Sequence, residues 1–414
     1  MKNSIIDIYH VFINELKLVF KDSAVILMFF IVPLAYPLLY GFIYDNETVH
    51  DAMLVAVDDS HSSLGREFIR KVDATADVKV VATVANFEQA QEMLRRKEAY
   101  GILYIPSDFS KKINTRQQTQ VMIYSDMSSL LFYKNFLISA TEVSLDMGAD
   151  IRVQEVGGGS REQDEATMQA VDYEWVPFYN PQNGFASFLV PAILIVIIHQ
   201  TMLLGIGTIV GTHNDRKRFR VASASRYGKH ISSFNLTIGK ALCYCSLYFV
   251  ISIWCLRIVP YLFRFPQIGD PVTVFAFMIP FLLSTTFFTM TLSYFISQRE
   301  FAMLLFVFTS PLFVFLSGIS WPWTAIPPAL QSFAYIFPTT PGIHAFIKIN
   351  TMGATLADVQ FEYIMLWIQS FVYMVSATMM YRWWIVNYDP DTIRNGGRFF
   401  GKLVNKQTKQ TIGY

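Results

Sequence analysis

The sequence predicts an α-helical polytopic membrane protein with six transmembrane helices and an inserted extracytoplasmic α/β domain. Three observations predict this class. The chain is 53% hydrophobic and 16% charged, whereas soluble globular domains are about 45–50% apolar and about 25% charged. Its apolar residues are concentrated in runs that approach or exceed the roughly 20 residues a helix needs to cross a bilayer. One long stretch with charges throughout, residues 45–182, separates the first run from the others.

Residues 1–23 are predicted to form an amphipathic cytoplasmic helix in the headgroup plane. Apolar residues recur there at helical spacing, and polar residues fill the opposite face. The apolar positions are Ile5, Ile8, Phe12, Leu16 and Val19. An ordinary amphipathic helix packed on a partner is the alternative. The first span follows at residues 24–44, where Pro33 and Pro37 predict a kink.

Residues 45–182 alternate strand-like and helix-like segments, which is typical of an α/β domain with a largely parallel sheet. The predicted strands are Met53–Val57, Val78–Val84, Tyr100–Ile105 and Gln120–Tyr124. The predicted helices are Leu64–Val72, Phe87–Ala99, Asp108–Thr115 and Leu130–Val156. This stretch contains no cysteine, so packing alone must hold the domain together.

Residues 183–386 are predicted to contain the other five spans. These are Gly184–Val210, Ile231–Leu256, a span within Pro271–Gln298, Phe301–Ile319 and Tyr363–Val386. Lys240 lies near the inner end of the third span, from which its side chain can extend to the headgroups. His199 interrupts the second span and must face protein or water. It is either a packed, hydrogen-bonded histidine or a ligand for a substrate or a proton.

The loop between the second and third spans, residues 211–232, sets the orientation. It is short and rich in Lys and Arg, and such loops stay on the cytoplasmic side. Its basic residues are Arg216, Lys217, Arg218, Arg220, Arg226 and Lys229. The tail, residues 387–414, is also basic and is placed on the cytoplasmic side by the same rule. Both termini are then cytoplasmic, which requires an even number of spans.

The apolar run that begins at Phe301 has no charge until Lys348, so it exceeds one crossing. Trp321–Phe337 could form a further span, but three prolines interrupt its start. A crossing there would also place the basic tail outside, against the positive-inside rule. We therefore predict that residues 317–350 form a re-entrant or outer-surface helical hairpin buried against the spans.

No residue pattern supplies an energy source or a reaction. The Gly-Lys pairs lack the Ser or Thr of a phosphate-binding loop, no His/Cys/Glu cluster has metal-ligand spacing, and no nucleophile elbow occurs. The spans carry almost no carboxylates, which an ion-coupled transporter would need at mid-membrane depth. The net charge of +1 gives no indication of nucleic-acid binding. We expect no catalytic residue and no metal ligand, and an energy source in a separate cytoplasmic protein.

Segments in three parts of the chain together resemble one known family. The charged domain contains AVDDS at Ala56–Ser60 and YGILYIPSDFSKKI at Tyr100–Ile113. FYNP at Phe178–Pro181 precedes FLVPAIL at Phe188–Leu194, and a proline-rich outer segment follows at Ser317–Ile349. In this order the segments resemble the permease subunits of ABC-2-type exporters, in the class with a large extracytoplasmic domain between the first two spans.

The resemblance implies a half-transporter of the bacterial inner membrane that pairs with a second copy or a paralogue. Two cytoplasmic ABC ATPase subunits would drive it. Those subunits would bind the ATP and magnesium, and the chain itself would bind no cofactor. Those subunits would contact the amphipathic helix and the basic loop. The candidate coupling residues are Glu15, Asp215, Arg216, Lys217, Arg218 and Arg220.

The outer parts of the chain have more than one implied role. Trp321, Trp323 and Phe333 on the hairpin are candidate gate residues, although aromatic residues at an interface also act as membrane anchors. The extracytoplasmic domain could receive cargo, dock onto a periplasmic adaptor, or be a structural cap. Membrane lipid is a further expected partner.

The basic loop departs from the family pattern. The loop begins with Asn214–Arg216, and it has Ala222–Ser223 where members of the family usually have another pair of small residues. The Gly-Lys pair of the family is retained at Gly239–Lys240.

Two other classes of protein are alternatives to the exporter. A membrane receptor or scaffold, with the outer domain binding a ligand or an adaptor, would normally carry a cytoplasmic signalling domain. A membrane enzyme acting on lipid would need clustered His, Asp or Glu near one membrane face.

Overall fold

The computed structural model describes residues 2–45, 49–128, 130–157, 159, 163, 178–180, 184–215, 232–296 and 298–388. The chain divides into two compact units. The membrane unit consists of Met1–Asp45 together with Phe178–Tyr414, and the α/β unit consists of Asn46–Pro177.

The membrane unit is helical throughout most of its described residues. Its helices are α1 (Lys2–Val19), α2 (Ser23–Ile43), α7 (Phe185–Asp215), α8 (Ser233–Leu262), α9 (Pro271–Ser293), α10 (Arg299–Leu316), α11 (Pro328–Ala334), α12 (Thr339–Met352) and α13 (Gln360–Tyr388). Six of these helices are long and apolar enough to cross a membrane: α2, α7, α8, α9, α10 and α13. The described part of the chain therefore contains the six predicted spans.

Helix α7 lies at the centre of the membrane unit and packs against α2, α9, α10 and α12. It is apolar on all sides, as expected of a helix surrounded by other helices. Small residues permit close packing: a Cβ at Gly205 would come within 2.1 Å of the Phe29 ring, and one at Gly207 within 2.8 Å of Ile296. The position of α7 therefore depends on glycine.

Helices α2 and α8 each contain one π-helical turn, at Leu27–Ile31 and Trp254–Ile258. Pro37 has no N–H, so within α2 it leaves the carbonyl of Pro33 without its usual helical donor. The Cys255 thiol lies 3.4 Å from that carbonyl oxygen, and the Trp254 indole N–H donates to the next one, of Leu34, at 3.2 Å. Cys255 is thus a weak donor as well as a packed core residue. The carbonyl that Pro37 leaves free therefore faces α8, and the predicted kink at Pro33 and Pro37 stays a prediction.

The segment between α10 and α13 contains a short 3₁₀ turn at Trp323–Ala325 and the helices α11 and α12. Helix α12 has 14 residues, a length of about 21 Å at ~1.5 Å per residue, against a hydrocarbon core of ~30 Å. Helix α11 is shorter still. Neither helix is long enough to span, so residues 321–337 add no crossing to the six.

The described residues of the α/β unit form a four-stranded sheet in the order β2-β1-β3-β4. Its strands are β1 (Ala52–Asp58), β2 (Val78–Val84), β3 (Gly101–Ile105) and β4 (Met122–Ser125). Its helices are α3 (Ser63–Asp73), α4 (Phe87–Arg95), α5 (Phe109–Asn114) and α6 (Leu130–Val156). Strand β1 pairs in parallel with β2 and β3, whereas β4 is antiparallel to β3.

Side chains of β1 alternate between two apolar cores, because successive residues of a strand point to opposite faces. Leu54 and Ala56 pack with the helices α3, α5 and α6, whereas Val55 and Val57 pack with α4. The predicted largely parallel α/β arrangement is therefore present. One predicted helix is shorter than expected: α4 ends at Arg95 rather than Ala99, because Lys97 adopts φ 59° and reverses the chain.

Candidate functional site

The first feature of the candidate site is the packing of α1 along the N-terminal half of α8. The Ser4 hydroxyl donates to the Asn235 side chain at 2.8 Å. At Gly239, a Cβ would lie 2.7 Å from the Val11 side chain and 2.9 Å from the Ile8 carbonyl oxygen, so the two backbones are in close contact. Helix α1 is thus fixed to a helix of its own chain, while Ile5 remains exposed. Its predicted position in the headgroup plane stays a prediction.

A buried ion pair joins the same two helices. The Lys240 ammonium lies 3.2 Å from the Glu15 carboxylate, and the Tyr244 hydroxyl donates to the same carboxylate oxygen. Glu15 and Lys240 are 3% and 4% exposed. The prediction that Lys240 extends to the headgroups is wrong, because Glu15 offers it a charged partner inside the protein. Tyr381 of α13 completes the cluster, with its ring centre 5.7 Å from the Lys240 ammonium.

Other helix ends meet near this pair. Asp22, at the start of α2, lies 3.8 Å from the Arg299 guanidinium at the start of α10. The backbone of Arg299 also touches α7 near its C-terminal end, since a Cβ at Gly211 would come within 2.7 Å of it. The ends of α1, α7 and α13 and the starts of α2, α8 and α10 therefore lie at one end of the bundle, here called the coupling end.

The predicted basic loop connects two helices at the coupling end. Helix α7 continues to Asp215, four residues beyond the predicted start of the loop at residue 211, and the side chain of Asp215 is outside the described part of the chain. Arg216, Lys217, Arg218 and Arg220 also lie outside the described residues. Their contact with an ATPase stays a prediction. Glu15 is the one predicted coupling residue whose side chain is described, and its described contacts are inside the protein.

The predicted gate residues occupy different environments at the opposite end. The Trp323 ring packs edge-on against His344 at 4.6 Å and Tyr335 at 5.5 Å between ring centres. The His344 Nε2 atom lies 2.8 Å from the Ser317 carbonyl oxygen, which fixes the ring that Trp323 contacts. Trp321 and Phe333 are 61% and 43% exposed. Among the described ring contacts, none joins these three residues to one another.

Phe333 is the outer member of a chain of ring contacts that the sequence did not indicate. It packs on Phe337 with ring centres 5.3 Å apart, and Phe337 packs on Phe313 at 4.9 Å. The Phe313 ring then contacts His199 at 4.9 Å. His199 is fully buried, and both its ring nitrogens lack a hydrogen-bond partner within the described residues. The expected packing of His199 is present, but the expected hydrogen bond is not seen there.

A second ion pair closes the end opposite the coupling end. The Lys348 ammonium of α12 lies 2.6 Å from the Glu362 carboxylate of α13. The backbone of Gly269, just before α9, touches the Ile349 carbonyl, so α9, α12 and α13 meet there. Neither partner was singled out from the sequence, because they lie in different segments and no local pattern pairs them.

These features define a multi-pass membrane protein with an α/β unit inserted after its first span. The sequence model described as ABC-2 family transporter protein matches residues 24–378. The chain belongs to this family, and α1 precedes the matched range. No curated protein matches the chain. Membership makes it a membrane subunit for transport and implies association with an ABC-type ATPase.

Proposed function

We propose that this chain is the permease subunit of an ATP-driven ABC-2-type exporter in the bacterial inner membrane. A separate cytoplasmic ATPase binds ATP and magnesium and supplies the energy. A second copy of the chain, or a paralogue, completes the transporter. The coupling end faces the cytoplasm, and the α/β unit lies outside, where it meets cargo or a periplasmic adaptor.

One observation carries the proposal most directly: α1 is attached to α8 by the buried Glu15–Lys240 pair. A helix that only floated in the headgroups would transmit no displacement to the spans. With α1 attached, a push on its exposed side moves α8, and Tyr381 beside Lys240 extends the contact to α13. Glu15 then acts as a positioning residue that holds α1 in place, rather than as a direct contact of the ATPase.

The basic loop has the second part in this mechanism. Asp215, Arg216, Lys217, Arg218 and Arg220 pair with charged groups of the ATPase and hold it against the coupling end. Closure of two ATPase subunits around ATP displaces the loop and α1 together. The spans tilt in response, and the path opens on the side of Trp321, Trp323 and Phe333.

The test is ATP hydrolysis by the partner ATPase, co-purified with this chain in lipid. We expect hydrolysis to rise in the complex, and Arg216→Glu with Arg218→Glu to abolish that rise. The matched control is Arg394→Glu with Arg398→Glu, which makes the same change of charge in the tail. If the charges serve only to set orientation, both double variants should behave alike. Hydrolysis that is indifferent to this subunit would contradict the proposal and favour a receptor or scaffold.

A further inference from the structure

The α/β unit contains a cavity that is not required by its sheet or by its ion pairs. It lies between α3, α5 and α6, within this unit alone, and has a volume of about 390 Å³. At ~30 Å³ per water molecule, this is room for about a dozen waters. Sites for small organic ligands start at about 300 Å³, so the cavity is large enough for one.

The inner wall of this cavity is apolar. Phe68, Phe109 and Met147 line it and are buried, and the two phenylalanine rings meet edge to face with centres 6.3 Å apart. Ile113 and Ile151 extend the same wall. Phe68, Phe109 and Met147 have almost no exposed surface of their own, so the partly exposed Ile113 and Ile151 form the apolar surface that an occupant would contact. The wall therefore favours an apolar occupant over water.

The rim of the cavity is polar and mainly basic. It includes Arg116, Arg152 and Glu155, and Arg116 lies 3.6 Å from Glu155. That pair is exposed, and exposed ion pairs contribute little stability, so an incoming anion can replace Glu155 as the partner of Arg116. Thr119 also lines the cavity, and its hydroxyl is buried without a hydrogen-bond partner within the described residues.

Backbone geometry holds Arg116 at this rim. Helix α5 ends at Asn114, and Arg116 adopts φ 58° while the N–H of Gln117 donates back to Lys112 at 2.8 Å. Gly or Asn is the usual residue at such a position, because a left-handed conformation strains other side chains. An arginine there has a conformational cost. The described ion pair between Arg116 and Glu155 is exposed, so it contributes little stability to offset that cost.

We propose that this cavity binds an amphipathic anion, with its apolar body against Ile113 and Ile151 and its anionic group on Arg116 and Arg152. Arginine suits this task because its planar fork donates two parallel hydrogen bonds to a carboxylate, sulfonate or phosphate. The proposal does not depend on the exporter mechanism, because it concerns binding to the α/β unit and not ATP hydrolysis.

The test measures protection of an engineered thiol in the full chain, held in lipid nanodiscs. Ser144 lines the cavity and is exposed, so Ser144→Cys should react with a water-soluble maleimide. Naphthalenesulfonate is the probe, and naphthylmethanol and naphthylmethylammonium have the same rings with no charge or the opposite charge. We expect the sulfonate to slow the labelling, the alcohol to act only at higher concentration, and the ammonium ion not to act. Glu142→Cys, exposed on the same helix outside the cavity, should label at one rate throughout.

Two variants test the rim. Arg116→Asn removes the charge with a residue that tolerates the left-handed conformation, and Arg152→Gln removes the other. Each should raise the sulfonate concentration for half-protection about tenfold, the effect of losing one charge-assisted hydrogen bond. Lys111→Gln, an exposed cation of α5 outside the cavity, should leave it unchanged. Equal protection by all three probes, no protection by any, or indifference to both arginine variants would each overturn the proposal.

Discussion

Glu15 and Lys240 are 225 positions apart in the chain, yet both are almost fully removed from solvent. Burying two charges costs several kcal/mol for each ion, and their attraction repays it only when the geometry is good and the other hydrogen-bonding atoms are satisfied. The Tyr244 hydroxyl donates to the same carboxylate, which satisfies part of that need. The pair therefore specifies where α1 lies on α8 more than it adds to stability.

This account predicts an asymmetry between single and double substitutions. Glu15→Gln or Lys240→Met alone should destabilise the membrane unit by about 3–5 kcal/mol, because the remaining polar group or charge is buried without its partner. The double variant Glu15→Leu with Lys240→Met should recover most of that loss, because apolar residues of similar volume are tolerated in place of a buried pair. Thermal unfolding of the purified protein in lipid nanodiscs measures all three.

The Lys348–Glu362 pair provides the matched comparison for that experiment. Its lysine side chain is 43% exposed, so water can solvate the charge when Glu362→Gln removes the partner. The loss there should be smaller than for Glu15→Gln. Equal losses at both sites would mean that burial does not control the strength of the Glu15–Lys240 pair.

At the scale of the element, Gly239 permits the contact between α1 and α8. Replacing a glycine inside a helix by alanine normally stabilises the helix by about 1 kcal/mol. At Gly239 the sign should reverse, because the added Cβ would lie 2.7 Å from Val11 and 2.9 Å from the Ile8 carbonyl. Gly239→Ala should lower the unfolding temperature and increase hydrogen exchange in α1, and Val11→Ala should restore part of the loss.

Gly148 in α6 is the control for this effect. A Cβ there would meet only the flexible end of the Arg152 side chain, at 4.0 Å. Gly148→Ala should therefore show the ordinary stabilisation of a helical alanine. If both substitutions stabilised the protein, α1 would not be in close contact with α8.

In the α/β unit, an ion pair between Lys97 and Asp126 connects the end of α4 to the end of β4. The lysine and the backbone N–H of Ser128 hold the pKa of Asp126 at about 2, below its ordinary value of 3.8. Because the pKa of Asp126 is lower in the folded state, its carboxylate stabilises the fold above pH 3.8. This contribution is lost as the pH falls towards 2. The amides of β3 and β4 should exchange more slowly than those of Asp126→Asn above pH 3.8, and the two proteins should converge near pH 2. A constant difference across this window would contradict the assignment.

The elements that the sequence predicted share one property, a local pattern. The alternation in Val78–Val84 and the long apolar runs each lie within one segment, so their positions agreed closely with the structure. The attachment of α1 depends on residues from α1, α8 and α13, and periodicity could not pair them. Lys240 illustrates the limit: considered alone it predicted an extended side chain, because Glu15 lies far away in the sequence. The position of Arg116 at the rim of the cavity depends on its positive φ, and an arginine in a sequence does not indicate a positive φ.

For the whole molecule, the six spans and the coupling end give one consistent topology. The end of α1, the end of α7 and the start of α8 lie together, and Tyr381 places the C-terminal part of α13 beside them. An even number of crossings requires this arrangement, since it returns the chain to the side from which it began. The basic loop thus joins α7 to α8 at the end where α1 and the C-terminal part of α13 lie, and the positive-inside rule predicts that this end faces the cytoplasm.

That topology predicts opposite accessibility for two single-cysteine substitutions in spheroplasts of a bacterial host. Gln89→Cys, exposed on α4 of the α/β unit, should react with a membrane-impermeant maleimide in intact spheroplasts. Ser223→Cys, in the basic loop, should react only after permeabilisation. The parent chain is the control for background labelling of the native cysteines. Cys243 and Cys255 are buried, and Cys245 in the same span is partly buried. Labelling of the Ser223→Cys variant in intact spheroplasts would show that all six spans have the opposite orientation. A cytoplasmic ATPase could then reach neither the loop nor α1.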